Sequence, residues 1–154
     1  MSLTELVGTI REGLADSILA LEERSPSRVW VTIRPEHIRE AALFLFEEVG
    51  GRLATVSGVD GRDDVDLLYH FCFDSLNGVV TVRTSAAKPT SEIDSIATIV
   101  EGANWVEREI HDLLGVNFRG HPDMRRLILA DDWPEGLYPL RRDSRERLPN
   151  YGRR

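Results

Sequence analysis

The sequence predicts an α+β fold: a two-layer sandwich with helices on one face of a mostly antiparallel sheet, and an extended C-terminal tail. Three observations predict it. Apolar residues recur at helical spacing near the start of the chain and again before Gly115. Runs rich in branched and aromatic residues fill the middle. The links between the last three of these runs are short enough for antiparallel neighbours, not helical crossovers.

Ser2 with Glu5 three residues on reads as a capping box. Leu3, Leu6, Val7, Ile10, Leu14, Ile18 and Leu21 follow at helical spacing, which predicts a helix over 3–23. Pro26 ends it, because proline lacks the amide hydrogen and restricts its neighbour. "RVWVTIR" (28–34) is the first expected strand, and Pro35 suits the first turn of a second helix that Gly50 would cap. Strands are expected over 52–59, 65–74 and 79–84, with turns at "DGRDD" and "SLNG". Ile93, Ile96, Ala97 and Val100 suggest a helix before the one over 103–114. The domain is expected to end near residue 130. Residues 131–154, with three prolines and no period, read as a partner-binding tail, loosely held until it docks.

Bulk properties exclude several classes. A net charge of −7 argues against a nucleic-acid binder, although six arginines in the last fourteen residues make such a binder the lowest-ranked alternative. The longest apolar runs, such as "AALFLF" (41–46), fall far short of the ~20 residues that cross a bilayer. The first residues lack a basic stretch followed by an apolar run, so no signal peptide is expected. A single cysteine, Cys72, excludes an intrachain disulfide and a cluster held by four thiolates, and fits a cytoplasmic location.

The chemically rich stretch runs from Asn104 to Leu140. Its helix buries Val106, Ile110, Leu113 and Leu114 and is expected to present Arg108 on a charged ridge, paired with Asp112 four residues on. Glu107 and Glu109 flank the apolar stripe and point apart, which disfavours an acid/base pair. A free-standing acid/base enzyme using Glu107, Glu109, Asp112 and His121 is therefore kept only as an alternative. His111 and His121 lack ligand spacing, and His70 with Cys72 lacks a third partner, so no metal site is expected. Phosphate-loop, dinucleotide and nucleophile-elbow motifs are absent. Trp133, in an unpatterned segment, reads as a contact anchor.

The stretch "EREIHDLLGVNFRGHPDMRRLI" resembles the signature of the 30-kilodalton subunit of respiratory complex I, the NADH-quinone oxidoreductase. That family includes the equivalent subunit of energy-converting [NiFe] hydrogenases and formate hydrogenlyases. The matching positions are Glu107, Arg108, Glu109, Asp112, Leu113, Leu114, His121, Arg125, Leu127 and Ile128. "WPEGLYPLRRD" (133–143) resembles the hydrogenase branch. The resemblance implies a subunit with no cofactor and no catalytic residue of its own. It implies docking on a large subunit beside an Fe–S subunit. The Fe–S clusters and the quinone site or NiFe centre would belong to those partners, and the membrane would be touched only through the complex, on its cytoplasmic face. It also implies an interface drawn from Glu107, Arg108, Glu109, Asp112, His121, Pro122, Arg125, Arg126, Trp133, Tyr138, Arg141 and Arg142.

Overall fold

The computed structural model describes residues 2–145, 147 and 148. Helix α1 (Leu3–Gly13) opens on the expected capping box: Glu5 N–H donates to Ser2 Oγ, and Ser2 N–H to Glu5 Oε2. Strand β1 (Ile18–Ser25) turns into β2 (Arg28–Ile33). A 3-10 turn at Pro35–His37 leads into α2 (Ile38–Leu43), which widens into a π-type turn at Phe44–Glu48. Gly50, at φ +79°, then reverses the chain. Strands β3 (Arg52–Asp60), β4 (Asp64–Phe73) and β5 (Gly78–Ala87) form the meander. A short β6 (Glu92–Asp94), helix α3 (Ala103–Leu114) and β7 (Asn117–Arg119) follow.

The main sheet has the order β1-β2-β5-β4-β3, with every pair antiparallel except β2–β5. The register puts Val29, Val80 and Phe71 in one row and Val31, Val82 and Tyr69 in the next, all buried. The helices cover that face: Leu6, Ile10, Ile38, Leu45, Ile110 and Leu114 join the same core. Gly58 lets α3 approach β3 closely, since a Cβ there would run into the Leu114 side chain. The α+β sandwich is thus as expected.

Two elements differ from expectation. The first helix stops at Gly13, and residues 18–25 pair with β2 as an edge strand. Gly13 lies against the Phe44 ring, and Gly13, Asp16 and Ser17 are poor helix formers. Ile18 and Leu21 pack against the core from a strand, a spacing that fits either geometry. The helix expected around Ile93–Val100 is also absent. Ile93, Ile96, Ala97 and Val100 are buried, but on β6 and a run of turns. Side chains take the backbone donors there: Ser95 Oγ accepts from Ala97 N–H and Glu107 Oε1 from Ile96 N–H.

Residues 131–145 follow the irregular path expected of them, with one 3-10 turn at Arg142–Ser144, and they pack on the domain. Leu137 and Ser144 are buried, Leu140 N–H donates to the Leu113 carbonyl, and Arg142 N–H donates to Asp60 Oδ2. The apolar and polar anchors that suit a partner also suit the end of α3. Glu146 and 149–154, the rest of the expected tail, lie outside the described residues.

Candidate functional site

Helix α3 organises everything C-terminal to it. Glu107, Arg108 and Asp112 all lie inside, so the expected charged ridge faces the protein's own chain. The expected Arg108–Asp112 pair does not form, because each side chain satisfies backbone groups instead. Arg108 Nε donates to the Arg125 carbonyl at 2.9 Å and a terminal nitrogen to the Arg126 carbonyl at 3.2 Å. Asp112 Oδ2 accepts from the amides of Leu127, Ile128 and Leu129 at 2.9, 2.8 and 3.1 Å. One turn of helix thereby holds both the carbonyls and the amides of the segment 125–129. Burial works against the charge on Asp112, but the amides of Ile128, Leu127 and Leu129, helped by His111, outweigh it and keep the carboxyl below its ordinary range.

The arginines extend this clamp. Arg126 donates to the carbonyls of Ala130, Asp131 and Trp133, and Trp133 Nε1 donates to the Leu137 carbonyl. Arg125 grips Asp123 with two nitrogens; hydrogen bonds from Arg125 hold that carboxyl well below its usual range. Helix α3 ends at Gly115, at φ +68°, with the Tyr138 ring against the glycine. Arg141 stacks on Tyr138 and donates to the carbonyls of Leu114 and Gly115 and to Ser91 Oγ. A cation over the last carbonyls of a helix is favourable for its dipole.

His121 and Glu107 make a second, sealed cluster, with Nε2 and Oε2 3.8 Å apart and both side chains fully buried. Burial pushes the Glu107 carboxyl up to about 7, against hydrogen bonds from Ser95 and the Ile96 amide and the charge of Arg39. Tyr69, also buried, is raised by burial and by Glu107.

These positions divide the expected interface residues. Glu107, Arg108, Asp112 and Arg141 are engaged internally, and so are Arg126, Trp133 and Tyr138 in part. Glu109, Pro122, Arg125 and Arg142 are exposed. Of the acid/base alternative, only Glu107 and His121 come together, out of solvent. An open cleft of about 430 Å³ is lined by Asp112, Arg126, Trp133 and Leu137 among others, and Asp112 Oδ2, the Arg126 guanidinium and Trp133 Nε1 are already committed as above. His111 Nδ1 lies 2.8 Å from the Val116 carbonyl and His70 bridges Ser57 and Thr81; among the described residues no three ligand-type side chains gather as a metal would need. Sequence reasoning missed Ser95, Tyr69 and Arg39 around Glu107. Only Ser95, placed to turn its own backbone, carries any local signal.

Beyond the clamp, large apolar side chains remain outside. Trp105 is 61% and Ile128 54% exposed, and Leu140 lies open at the far end. Arg108 stacks on the Trp105 ring, so the exposed tryptophan is braced by the same residue that holds 125–126.

Fold and site together define a class: a small α+β domain whose C-terminal segment is folded back over its last helix by buried ionic side chains. The family model for the respiratory-chain NADH dehydrogenase 30 Kd subunit matches residues 31–148, and the chain belongs to that family. It is 34% identical over 139 residues to an NADH-quinone oxidoreductase subunit of Geobacter sulfurreducens, covering 87% of this chain and 84% of that one. It is 32% identical over 142 residues to formate hydrogenlyase subunit 5 of Escherichia coli, covering 90% of this chain but 25% of the longer relative. Its fold matches a chain in the structure of the membrane-bound sulfane sulfur reductase, an archaeal respiratory membrane complex. That match has a TM-score of 0.81 and 26% identity and covers 91% of this chain and 84% of the other.

Proposed function

We propose that this chain is a cofactor-free docking subunit of a membrane-associated electron-transfer complex, seated on the large subunit that carries the reaction centre, beside an Fe–S subunit. The observation that carries the reading is the α3 clamp. Buried Arg108 and Asp112 fix an irregular loop and leave Ile128 and Trp105 exposed beside it, a rigid surface with apolar anchors and a polar rim. A pre-fixed loop loses little entropy on binding. The relatives named above supply the context of a respiratory complex, and the stretch 133–143 favours the hydrogenase and formate-hydrogenlyase branch over NADH-quinone oxidoreductase proper. No helix among the described residues is long and apolar enough to cross a membrane. The reading places the subunit peripherally, on the cytoplasmic face.

The test is purification of a tagged full chain from native membranes under mild detergent, with mass spectrometry of what accompanies it. A large subunit of hydrogenase type is expected, with iron or nickel that departs with the partners. Stoichiometric metal left on the isolated chain, or a chain that elutes alone with turnover of its own, would overturn the reading.

A further inference from the structure

Glu107 and His121 are titratable, sealed from solvent, and do nothing for docking directly. We propose that they form a buried proton-binding site, in which one proton resides on Glu107, keeps His121 neutral, and so locks the start of the segment that α3 holds.

The geometry argues for it. Asp123 N–H donates to His121 Nδ1 at 3.0 Å, so Nδ1 must be the bare nitrogen. Nε2 then carries the hydrogen and donates to the Asn104 carbonyl at 3.2 Å. That neutral tautomer ties residues 121–123 to the first turn of α3. A proton added to the ring could go only onto Nδ1, where it would meet the Asp123 amide donor to donor.

Glu107, by contrast, can hold a proton without moving. Its Oε1 accepts from the Ile96 amide at 2.8 Å, and its Oε2 lies 2.5 Å from Ser95 Oγ. A hydroxyl both gives and takes, so a neutral carboxyl donates from Oε2 to Ser95 with the same heavy-atom positions. The groups facing it are few. Arg39, from α2, reaches the Ser95 carbonyl and Thr98, not the carboxyl. Tyr69, from β4, has a buried hydroxyl with no hydrogen-bond partner among the described residues. His121 stands 3.8 Å away, beyond hydrogen-bond reach. A buried carboxylate with no ion pair in contact is expensive, and neutralisation is the usual outcome.

The carboxyl's folded value, about 7, lies above the ordinary 4.5, so the folded chain binds this proton more tightly than the unfolded one. The stabilisation is complete below 4.5 and is lost as pH rises through about 7. Above that, α3 sits over an uncompensated charge and segment 121–129 loosens. Only the consequence for partner binding rests on the docking reading; the proton site is a property of the chain alone.

Glu107→Gln in the full chain is the test, because glutamine mimics the neutral acid: its carbonyl accepts from Ile96 and its amide donates to Ser95. The variant should melt with the parent at about pH 4, where the carboxyl is protonated in both states, and about 10 °C above it at about pH 8. In the parent, the Glu107 carboxyl carbon should titrate near neutrality by NMR, with the His121 ring in its neutral Nε2–H form and Asp123 amide exchange accelerating as the proton leaves. A variant less stable than the parent at both pH values, or a carboxyl already ionised at about pH 5.5, would overturn the proposal. Should the variant fail to fold, the parent's titration decides alone. A proton site that titrates as expected while partner recovery is flat with pH would contradict the docking reading and leave this one standing.

Discussion

Asp112 Oδ2 lies 2.8 Å from the Ile128 amide while the Ile128 side chain stands half open to solvent. The backbone of that residue belongs to the fold and its side chain is left for something else. This division separates stability from assembly in the experiments that follow.

Asp112→Ala strands three amides, and the expected loss is about 2–3 kcal/mol in urea unfolding. Asp112→Asn keeps one acceptor oxygen and should lose less. Because the Asp112 carboxyl is held below the ordinary 3.8, its contribution is present above that pH and is lost as pH falls through the lowered folded value. The alanine variant should therefore show a shallower acid limb; an unchanged limb would mean the nest contributes nothing.

Arg108→Lys is not conservative here. A lysine cannot fork to two carbonyls in fixed geometry, nor stack on Trp105 as a guanidinium does. A loss of about 1–2 kcal/mol is expected, with amide exchange of residues 125–129 accelerated. An outward-facing ridge residue, as the sequence leads one to expect of Arg108, would instead leave the free domain's stability untouched. Wild-type melting of Arg108→Ala would restore that expectation.

Gly115→Ala should destabilise twice over. The backbone is left-handed at φ +68°, a conformation that costs a non-glycine residue about 1–2 kcal/mol, and the new methyl would run into the Tyr138 ring. Displacing that ring also weakens the Arg141 cap, so limited proteolysis should open the chain between Leu137 and Arg142. Cleavage no faster than in the parent would show that the segment is held by other contacts.

The meander and α3 are legible in the sequence because their signals are local: alternation in β4, a helical stripe ending at Gly115, and short turns between strands. The segment 18–25 misleads because Ile18 and Leu21 fit a helix or a strand, and pairing with β2 decides between them. Residues 93–100 mislead because Ser95 and Glu107 supply the hydrogen bonds a helix would have made, and that contact spans distant parts of the chain. Arg108, Asp112 and His121 stand out as a group in the sequence, but their direction does not. Helical spacing puts Arg108 opposite the apolar stripe, and only the returning segment 125–129, invisible to periodicity, buries it. The same return explains why residues 131–145 look like a free tail in sequence and are anchored in the structure.

The most direct test of the docking account is recovery of the large subunit with tagged Ile128→Asp, measured beside the chain's own melting. Ile128 contributes its amide to the fold and exposes its side chain, so the variant should melt within about 0.5 kcal/mol of the parent, as surface substitutions do. A charge placed in an apolar anchor should lower recovery of the large subunit at least about tenfold. Undiminished recovery by a fully folded Ile128→Asp chain would contradict the claim that the clamp exists to present this surface.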